Sequence, residues 1–256
     1  RGLGREIAKG LATKGFSVLA TDIDEDSAAE TARIIGPSAW SMRQDVRDAA
    51  FHHEVAHAAN QRGALELWVN NAGVLYAGSA WEHSDEEVGR MVDINVLGMI
   101  WGARAAVEAM RAKGGHIINM ASISALTPAP GLAIYGATKH AVLGFTYSLA
   151  GDIQRARLPI EVSAVCPHGI NTDMVRDISD SKESSLVFTQ PKLLTVEEVT
   201  ATVLDLVDSP RLAVTMPRAY AALVHALRPF PGLSLKLDKP ISWLGDLQRR
   251  KSRGSG

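Results

Sequence analysis

A single α/β domain, with a doubly wound parallel sheet and helices on both faces, is the fold that this sequence predicts. The 256 residues suffice for one large domain in which about three-quarters of the unfolded surface is removed from water. Uninterrupted apolar runs such as residues 116–121 are typical of strands buried on both faces, as in a parallel sheet. A Gly-Leu-Gly run at 2–4 directly precedes a helical pattern, which favours a helix whose first amides face an anionic ligand.

The composition is that of an ordinary globular protein and excludes several classes. A net charge of −1 argues against a nucleic-acid-binding surface. The single cysteine, Cys166, excludes an intramolecular disulfide and fits a reducing compartment, so we expect a cytoplasmic protein. No apolar run approaches the ~20 residues that a membrane-spanning helix needs.

The amino-terminal part predicts a helix over residues 5–14, ended by a glycine, and then a strand over residues 16–21. Asp22 follows this strand, 18 residues after Gly4. That separation is close to the ~20 residues at which a carboxylate binds the ribose hydroxyls in dinucleotide-binding folds. A second helix is predicted over residues 24–35.

A third helix is predicted over residues 47–62, and Asp45 before it has two interpretations. It is either the N-cap of this helix or, with Val46, a contact to a bound ligand. The helix also carries His52, His53 and His57. Because no further metal ligands cluster near them, we interpret all three as solvated surface histidines, and no metal site is predicted.

The middle of the chain predicts a strand over residues 65–69 that leads into an Asn-Asn-Ala-Gly run at 70–73. A capping box at 84–87 opens a long helix in which Asn95 lies within an Asp-x-Asn-x-x-Gly sequence. The buried strand at 116–121 delivers a hydroxyl, Ser122, at its carboxyl end.

An uncharged Pro/Gly loop over residues 124–134 then leads to Tyr135 and Lys139, which lie on one face if this segment is a helix. A free tyrosine hydroxyl has a pKa of ~10 and exchanges its proton poorly at neutral pH. An ammonium group beside it stabilises the phenolate, which makes proton transfer near pH 7 possible. Such a pair alone is weak evidence, since it occurs by chance in many helices.

The carboxyl-terminal half predicts strands over residues 160–165 and 211–216, separated by a second capping box at 195–198 and its helix to residue 207. The first of these strands leads into the run Cys-Pro-His-Gly-Ile-Asn-Thr at 166–172.

Together, the glycine run, the 70–73 run, Asn95, Ser122 and the Tyr135–Lys139 pair resemble the short-chain dehydrogenase/reductase (SDR) family from Arg1 to about Thr172. Five motifs in the right order make the resemblance specific, where a lone Gly-x-Gly would not be. It implies a Rossmann-type domain over residues 1–216, with a substrate lid at about 173–194.

The resemblance also implies an enzyme that transfers a hydride reversibly between the nicotinamide C4 and a secondary alcohol or its ketone. Tyr135 would be the acid/base, and Lys139 would lower its pKa and bond the nicotinamide ribose. Ser122 would donate a hydrogen bond to the substrate oxygen. Asn95 would kink its helix and hold a water that links Lys139 to solvent.

The cofactor implied is NAD, with NADP less favoured. Asp22 would repel a 2′-phosphate, whereas Arg1 in the glycine turn can assist NADP binding in this family; we give Asp22 more weight. The expected cofactor contacts are Arg1, Gly2, Leu3, Gly4, Asp22, Ile23, Asp45, Val46, Asn71, Ala72, Gly73, Tyr135, Lys139, Pro167, Ile170 and Thr172.

The family pattern begins with a strand and a first glycine before the position of Arg1. We therefore expect that the first strand of the sheet lies upstream of Arg1.

The substrate is expected to be an apolar alcohol or ketone, steroid-like or long-chain. The loop at 124–134 is uncharged, and the lid at 173–194 is polar at first, then apolar, and is expected to be poorly ordered without ligand. His168 stands where the family usually has glycine; it either modulates substrate binding or, as we favour, is a tolerated substitution with its side chain in solvent.

Two other functions are compatible with the resemblance. A ketoacyl-thioester reductase would normally use NADPH and a basic residue near Asp22, which is absent. A non-catalytic nicotinamide sensor or scaffold on the same fold is disfavoured by the intact set of four catalytic residues.

Residues 217–256 extend beyond the usual end of the family and carry a basic tail at 248–253. We favour a subunit-packing extension with a disordered tail over an amphipathic segment that touches a membrane. The long apolar helices at 91–110 and 135–153 either pack on the sheet or, as the resemblance implies, form a dimer face, which we expect to give a homodimer or homotetramer.

Overall fold

The computed structural model describes residues 1–190 and 192–253, and it confirms an α/β fold with parallel strands flanked by helices. The strands of the described residues are β1 (Val18–Asp22), β2 (Ala39–Arg43), β3 (Leu67–Asn70), β4 (Gly115–Met120), β5 (Ile160–Pro167) and β6 (Ala213–Met216). The α-helices are α1 (Gly2–Thr13), α2 (Glu25–Ile35), α3 (Ala49–Arg62), α4 (Asp85–Val92), α5 (Met99–Met110), α6 (Ala133–Ala156), α7 (Asp173–Asp177), α8 (Val196–Asp208), α9 (Arg218–Leu227) and α10 (Pro231–Arg253).

All strand pairs are parallel and fall into two groups. Within the described residues, β1 pairs with β2 alone, and the other four strands follow the order β3-β4-β5-β6. A gap therefore separates β1 from β3. Because the strands are parallel, their carboxyl ends lie along one edge, where Asp22, Asn70 and the residue after Met120 come together.

The core lies on both faces of the larger sheet, and β4 shows why. Successive strand residues point to opposite faces, so two neighbouring isoleucines of β4 serve two different layers. Ile118 packs in the cluster that contains α1 and α8, and Ile117 packs in the cluster that contains α3 and α5. Each is fully buried, which stabilises the fold by roughly 1.5–3 kcal/mol per side chain.

Local capping decides where the helices begin. Both predicted capping boxes are confirmed, with Ser84 accepting from the Glu87 amide and Thr195 from the Glu198 amide. The predicted start of the third helix is wrong: α3 begins at Ala49, and its N-cap is Asp48, whose carboxylate accepts from the Ala50 amide at 2.9 Å.

The prediction that His52 lies on the surface is also wrong. Only 1% of this residue is exposed, because α3 turns it under the end of β2. Its Nδ1 lies 3.0 Å from the Gln44 amide nitrogen and its Nε2 lies 2.9 Å from the Val46 carbonyl oxygen. Within the described residues, no group of three or more potential metal ligands occurs.

The helix predicted over residues 91–110 is interrupted by a π-helical turn, Asp93–Gly98, between α4 and α5. Gly98 closes this turn against Val46, where an added Cβ would lie 3.0 Å from the valine side chain. The turn changes the direction of the side chains within it, and Asn95 is one of them.

The segment expected to be a poorly ordered lid contains α7 and a 3-10 helix, Lys182–Phe188. α10 continues as far as Arg253, and Arg249 is buried and donates to the Ser179 carbonyl at 2.9 Å. The disorder expected for the tail stays a prediction. Residues 254–256 lie outside the described residues. None of the described helices is both long and apolar enough to cross a bilayer.

Candidate active site

A cavity opens at the carboxyl edge of the strands and is lined by residues of β1, of β3 and of the segments that follow the strands. All sixteen residues predicted to contact a cofactor line it, from the glycine turn at one end to Pro167, Ile170 and Thr172 at the other. Ser122 lines it too, beside Tyr135. The parallel strand order thus brings these cofactor-contact and catalytic residues, which are far apart in the sequence, to one cavity.

The glycine turn at the start of α1 has the properties of an anion-binding helix terminus. Gly2 has a φ of +53°, which a glycine adopts at low cost. A Cβ added to Gly4 would lie 2.8 Å from the side-chain nitrogen of Asn71, so a larger residue here would require the Asn71 side chain to move. Among the described residues, no side chain caps the first turn and no acid lies within it. The exposed amides at the positive end of the helix dipole therefore fit a phosphate.

Two carboxylates stand near this turn and differ in their surroundings. Asp22 ends β1 and accepts a hydrogen bond from the Asp24 amide at 3.1 Å. Asp45 forms a two-pronged pair with Arg47, whose Nη2 lies 2.6 Å from Oδ2. The hydrogen bonds from Arg47 lower the pKa of the Asp45 carboxyl. The Asp45 side chain is therefore fixed by Arg47, which lies two residues further along the chain.

Ser122, Tyr135 and Lys139 meet where β4 ends and α6 begins. Ser122 follows β4 as the N-cap of a 3-10 turn, and its Oγ accepts from the Ser124 amide at 3.2 Å. α6 begins at Ala133, which places Tyr135 in its first turn and Lys139 one turn later. The Lys139 ammonium lies 5.6 Å from the centre of the tyrosine ring and donates to the Met120 carbonyl at 2.8 Å.

Burial moves both pKa values of this pair toward the uncharged forms. Desolvation raises the pKa of Tyr135 to about 12, and a hydrogen bond with Ser122 lowers it only in part. Desolvation also lowers the pKa of Lys139 to about 8. The net pKa of Tyr135 is therefore raised, because the cost of burying a phenolate is larger than the effect of Ser122 that opposes it. The role expected for Lys139 stays a prediction.

Asn95 lies behind the cavity wall, with 1% of its surface exposed. Its side-chain oxygen accepts from the Val74 amide at 2.8 Å, and its nitrogen donates to the Val74 carbonyl at 2.9 Å and to Thr138 Oγ1 at 3.1 Å. A Cβ added to Gly73 would lie 3.3 Å from Asn95 Oδ1 and 3.7 Å from Lys139 Nζ. The asparagine side chain thus fastens the loop after β3 to α6, close to Lys139.

The favoured interpretation of His168 as a solvent-exposed substitution is wrong. The side chain is buried, with 9% exposed, because the lid and α9 cover it. Its Nε2 lies 2.9 Å from Thr189 Oγ1, and its ring meets the Tyr220 ring edge-on at 5.8 Å. Its Nδ1 accepts from the Gly169 amide at 2.7 Å, and burial lowers its pKa to about 4. His168 also lines the cavity.

The contribution of α9 and α10 to the same cavity was not predicted from the sequence. These helices supply Tyr220, Leu223, Val224, Leu227, Ser234, Leu235, Asp238 and Ile241 to its wall. Their amphipathic composition was the only signal in the sequence, and it did not indicate the surface against which they pack.

Comparisons with known proteins agree with this geometry. A family model described as short chain dehydrogenase matches residues 1–183. The chain is 35% identical to the SadH protein of Mycobacterium tuberculosis over 182 residues, which are 69% of this chain and 66%, slightly under two thirds, of that protein. It is 33% identical to a 3-beta-hydroxysteroid dehydrogenase of Comamonas testosteroni over 194 residues, 75% of this chain and 76% of that protein.

Among solved structures, the fold is similar to a short chain dehydrogenase/reductase from Burkholderia phymatum in complex with NAD. The TM-score is 0.82 at 25% identity, and the match covers 91% of each chain.

Proposed function

This chain belongs to the short-chain dehydrogenase family, and on that premise we propose that it is an NAD(H)-dependent oxidoreductase that interconverts a secondary alcohol and its ketone. One observation carries the proposal. Ser122, Tyr135 and Lys139 meet on the wall of a cavity whose other end is the glycine turn of α1. A proton-transfer site and a phosphate-binding site thus share one space.

The nicotinamide cofactor, when bound, supplies the hydride acceptor for alcohol oxidation and the hydride donor for ketone reduction. In reduction, Tyr135 transfers its hydroxyl proton to the carbonyl oxygen of the substrate. The Ser122 hydroxyl donates a hydrogen bond to the same oxygen, where negative charge develops. In oxidation, the Tyr135 phenolate takes the proton of the alcohol hydroxyl.

Lys139 assists both directions through its charge. With a pKa of about 8, it is mostly protonated at neutral pH, so it stabilises negative charge on the tyrosine oxygen. An ammonium has three N–H donors, and one of them goes to the Met120 carbonyl. By family resemblance, another would bond the nicotinamide ribose.

NAD rather than NADP is supported by Asp22. This carboxylate stands at the end of β1 on the cavity wall, where it would bond the ribose hydroxyls of NAD and repel a 2′-phosphate. Arg1 lines the same end of the cavity and would act in the opposite direction. The NAD in the Burkholderia structure supports the same assignment.

An apolar substrate, steroid-like or long-chain, is supported by the wall next to Tyr135. This wall is formed mainly by the Pro/Gly loop, the lid and α9, through Ala129, Pro130, Leu132, Ile178, Leu186, Val187, Leu223 and Leu227. The Comamonas relative is named for a hydroxysteroid, which is a substrate of this class.

A homodimer or homotetramer is supported by the outer face of α6. Its exposed residues Ala137, Ala141 and Gly144 are small, so a second helix could approach closely. Light scattering on the purified protein tests this, and a monomer at micromolar concentration would contradict it.

The reaction is tested by NADH formation from NAD+ over a panel of apolar secondary alcohols, with NADP+ in parallel. Tyr135→Phe should lower kcat by at least about 10²-fold, because it removes the proton donor and acceptor. Tyr147→Phe, on the same helix, is the matched control and should retain activity. Equal turnover by Tyr135→Phe and the wild type would overturn the assignment.

A further inference from the structure

The two carboxyl-terminal helices, α9 and α10, carry most of the exposed large apolar side chains of the described chain. We refer to them as the C-terminal helix pair. Eight of the fifteen such side chains lie in it, and Phe230 lies between the two helices; the eight are Leu223, Leu233, Leu235, Leu237, Ile241, Trp243, Leu244 and Leu247. Trp243 is 65% exposed and Phe230 is 60% exposed. So many exposed large apolar side chains within one short segment are unusual for a free protein and indicate a binding surface.

The net charge of the chain is also unevenly distributed, because residues 217–256 are basic and residues 1–216 are acidic. Residues 217–256 contain eight Lys and Arg against two Asp, a net charge of +6. The chain as a whole has a net charge of −1, so residues 1–216 have a net charge of −7. A basic, apolar segment on an acidic domain indicates an anionic partner for that segment alone.

The apolar surface continues into the cavity. Leu223, Leu235 and Ile241 line the cavity and are also among the exposed side chains, with 56%, 53% and 37% of their surfaces accessible. A molecule that contacts the outer surface of the helix pair therefore lies at an opening of the candidate active site.

The helix pair is held firmly on the lid. Tyr220 donates its hydroxyl proton to the Thr189 carbonyl at 3.2 Å, and Arg249 donates to the Ser179 carbonyl. Gly245 fits against the Ser185 carbonyl, where any added Cβ would collide. These contacts fix which face of α10 is turned outward.

We propose that the C-terminal helix pair binds an anionic lipid surface and lies along it, so that an apolar substrate enters the cavity from the lipid. Lys236 and Lys239 are exposed next to the apolar side chains, as in helices that rest at the boundary of head groups and acyl chains. An exposed tryptophan favours that boundary as well. A second copy of this chain is a poorer occupant, because a symmetric contact would place two segments of +6 against each other.

The binding step is tested by co-sedimentation of the full chain with phosphatidylcholine vesicles that contain phosphatidylserine, and with phosphatidylcholine vesicles alone. We expect binding to the anionic vesicles that weakens as salt is raised, since screening shortens the reach of surface charges. Lys236→Gln/Lys239→Gln should weaken binding about thirtyfold, at about 1 kcal/mol for each basic residue near an anionic surface.

The apolar contribution is tested by Trp243→Ser/Leu244→Ser, which should weaken binding at least about tenfold. Trp81→Ser is the matched control, because Trp81 is 86% exposed and lies outside the helix pair. The proposal is overturned by equal binding to neutral and anionic vesicles, by unchanged binding of either double variant, or by loss of binding in the control. The proposal is also overturned if the wild-type protein binds no vesicles and instead forms a dimer that Trp243→Ser/Leu244→Ser abolishes.

Substrate delivery rests on the proposed function, whereas vesicle binding does not. If the protein binds vesicles, Trp243→Ser/Leu244→Ser should lower turnover of a long-chain alcohol embedded in vesicles while turnover of a short, water-soluble secondary alcohol stays unchanged. Vesicle binding without turnover of any alcohol would contradict the proposed reaction but not the proposed lipid-binding surface. Equal turnover of the embedded alcohol by the variant and the wild type would contradict delivery.

Discussion

Replacing His168 with leucine should destabilise the fold by an amount that depends on pH. The wild-type imidazole is buried and makes two hydrogen bonds. Since its Nδ1 accepts from the Gly169 amide, its Nε2 carries the proton and donates to Thr189 Oγ1, which in turn donates to the Leu186 carbonyl. Leucine fills a similar volume but leaves the Gly169 amide and the Thr189 hydroxyl without this partner.

The magnitude at neutral pH follows from these contacts. Each hydrogen bond contributes about 1 kcal/mol net, and a buried amide left unpaired costs about 1–3 kcal/mol. We therefore expect His168→Leu to lower the free energy of unfolding by about 2–4 kcal/mol at pH 7.5.

The pH dependence follows from the direction of the pKa shift. Burial lowers the pKa of His168 from 6.5 to about 4, so the unfolded chain takes up a proton at a higher pH than the folded chain does. The contribution of the neutral imidazole is fully present above pH 6.5 and is lost as the pH falls toward 4. The loss is at most about 3 kcal/mol, at ~1.4 kcal/mol per pKa unit. The difference between wild type and variant should therefore shrink toward zero at pH 4.

Urea denaturation at several pH values between 7.5 and 4 measures this difference. His57→Leu, which removes an exposed imidazole from α3, is the matched control for the loss of a histidine. A difference between His168→Leu and the wild type that stays constant over this range would refute the reasoning, because the imidazole would then not be held neutral by burial.

Three other predictions follow from the site and the C-terminal helices. Ketone reduction should slow above pH ~8, as Lys139 loses its proton, in a profile of kcat/KM from pH 6 to 10; a flat profile would contradict its role. Asp22→Ser should raise kcat/KM for NADP+ relative to NAD+ at least about tenfold, and an unchanged ratio would remove Asp22 from the cofactor site. Gly245→Ala should destabilise by about 1–3 kcal/mol in urea denaturation, because its Cβ collides with the Ser185 carbonyl. Gly89→Ala in α4, with open space around it, should instead stabilise by up to ~1 kcal/mol, and equal effects of the two changes would contradict the close packing of α10.

The features that the sequence predicted well depend on short stretches of chain. The capping boxes at Ser84 and Thr195 need only four consecutive residues, and the structure has both. The strand at 116–121 was recognisable because a continuous apolar run suits a strand buried on two faces. Ser122 and Tyr135 were assigned to one site through the family resemblance, and the structure places one at the end of a strand and the other in the first turn of a helix.

The features that it predicted poorly depend on contacts between distant residues. His168 is buried by Thr189 and Tyr220, which lie 21 and 52 residues further along the chain. α10 is joined to the lid by the bond from Arg249 to Ser179, 70 residues away. No local pattern records such partners, so composition alone favoured solvent exposure for His168 and did not indicate the surface on which α10 packs.

The same limit applies to the direction of proton transfer. Spacing placed Lys139 one turn from Tyr135 and so predicted a lowered tyrosine pKa, but it could not show how deeply the pair is buried. With pKa values of about 12 and about 8, the folded chain keeps the proton on Tyr135 throughout the physiological range, while Lys139 carries the positive charge below pH 8. These are the protonation states that ketone reduction requires, since the tyrosine must give a proton and the ammonium must stabilise the phenolate left behind. In the proposed reaction these protonation states favour ketone reduction, and alcohol oxidation, which begins from the phenolate, should rise with pH where reduction falls.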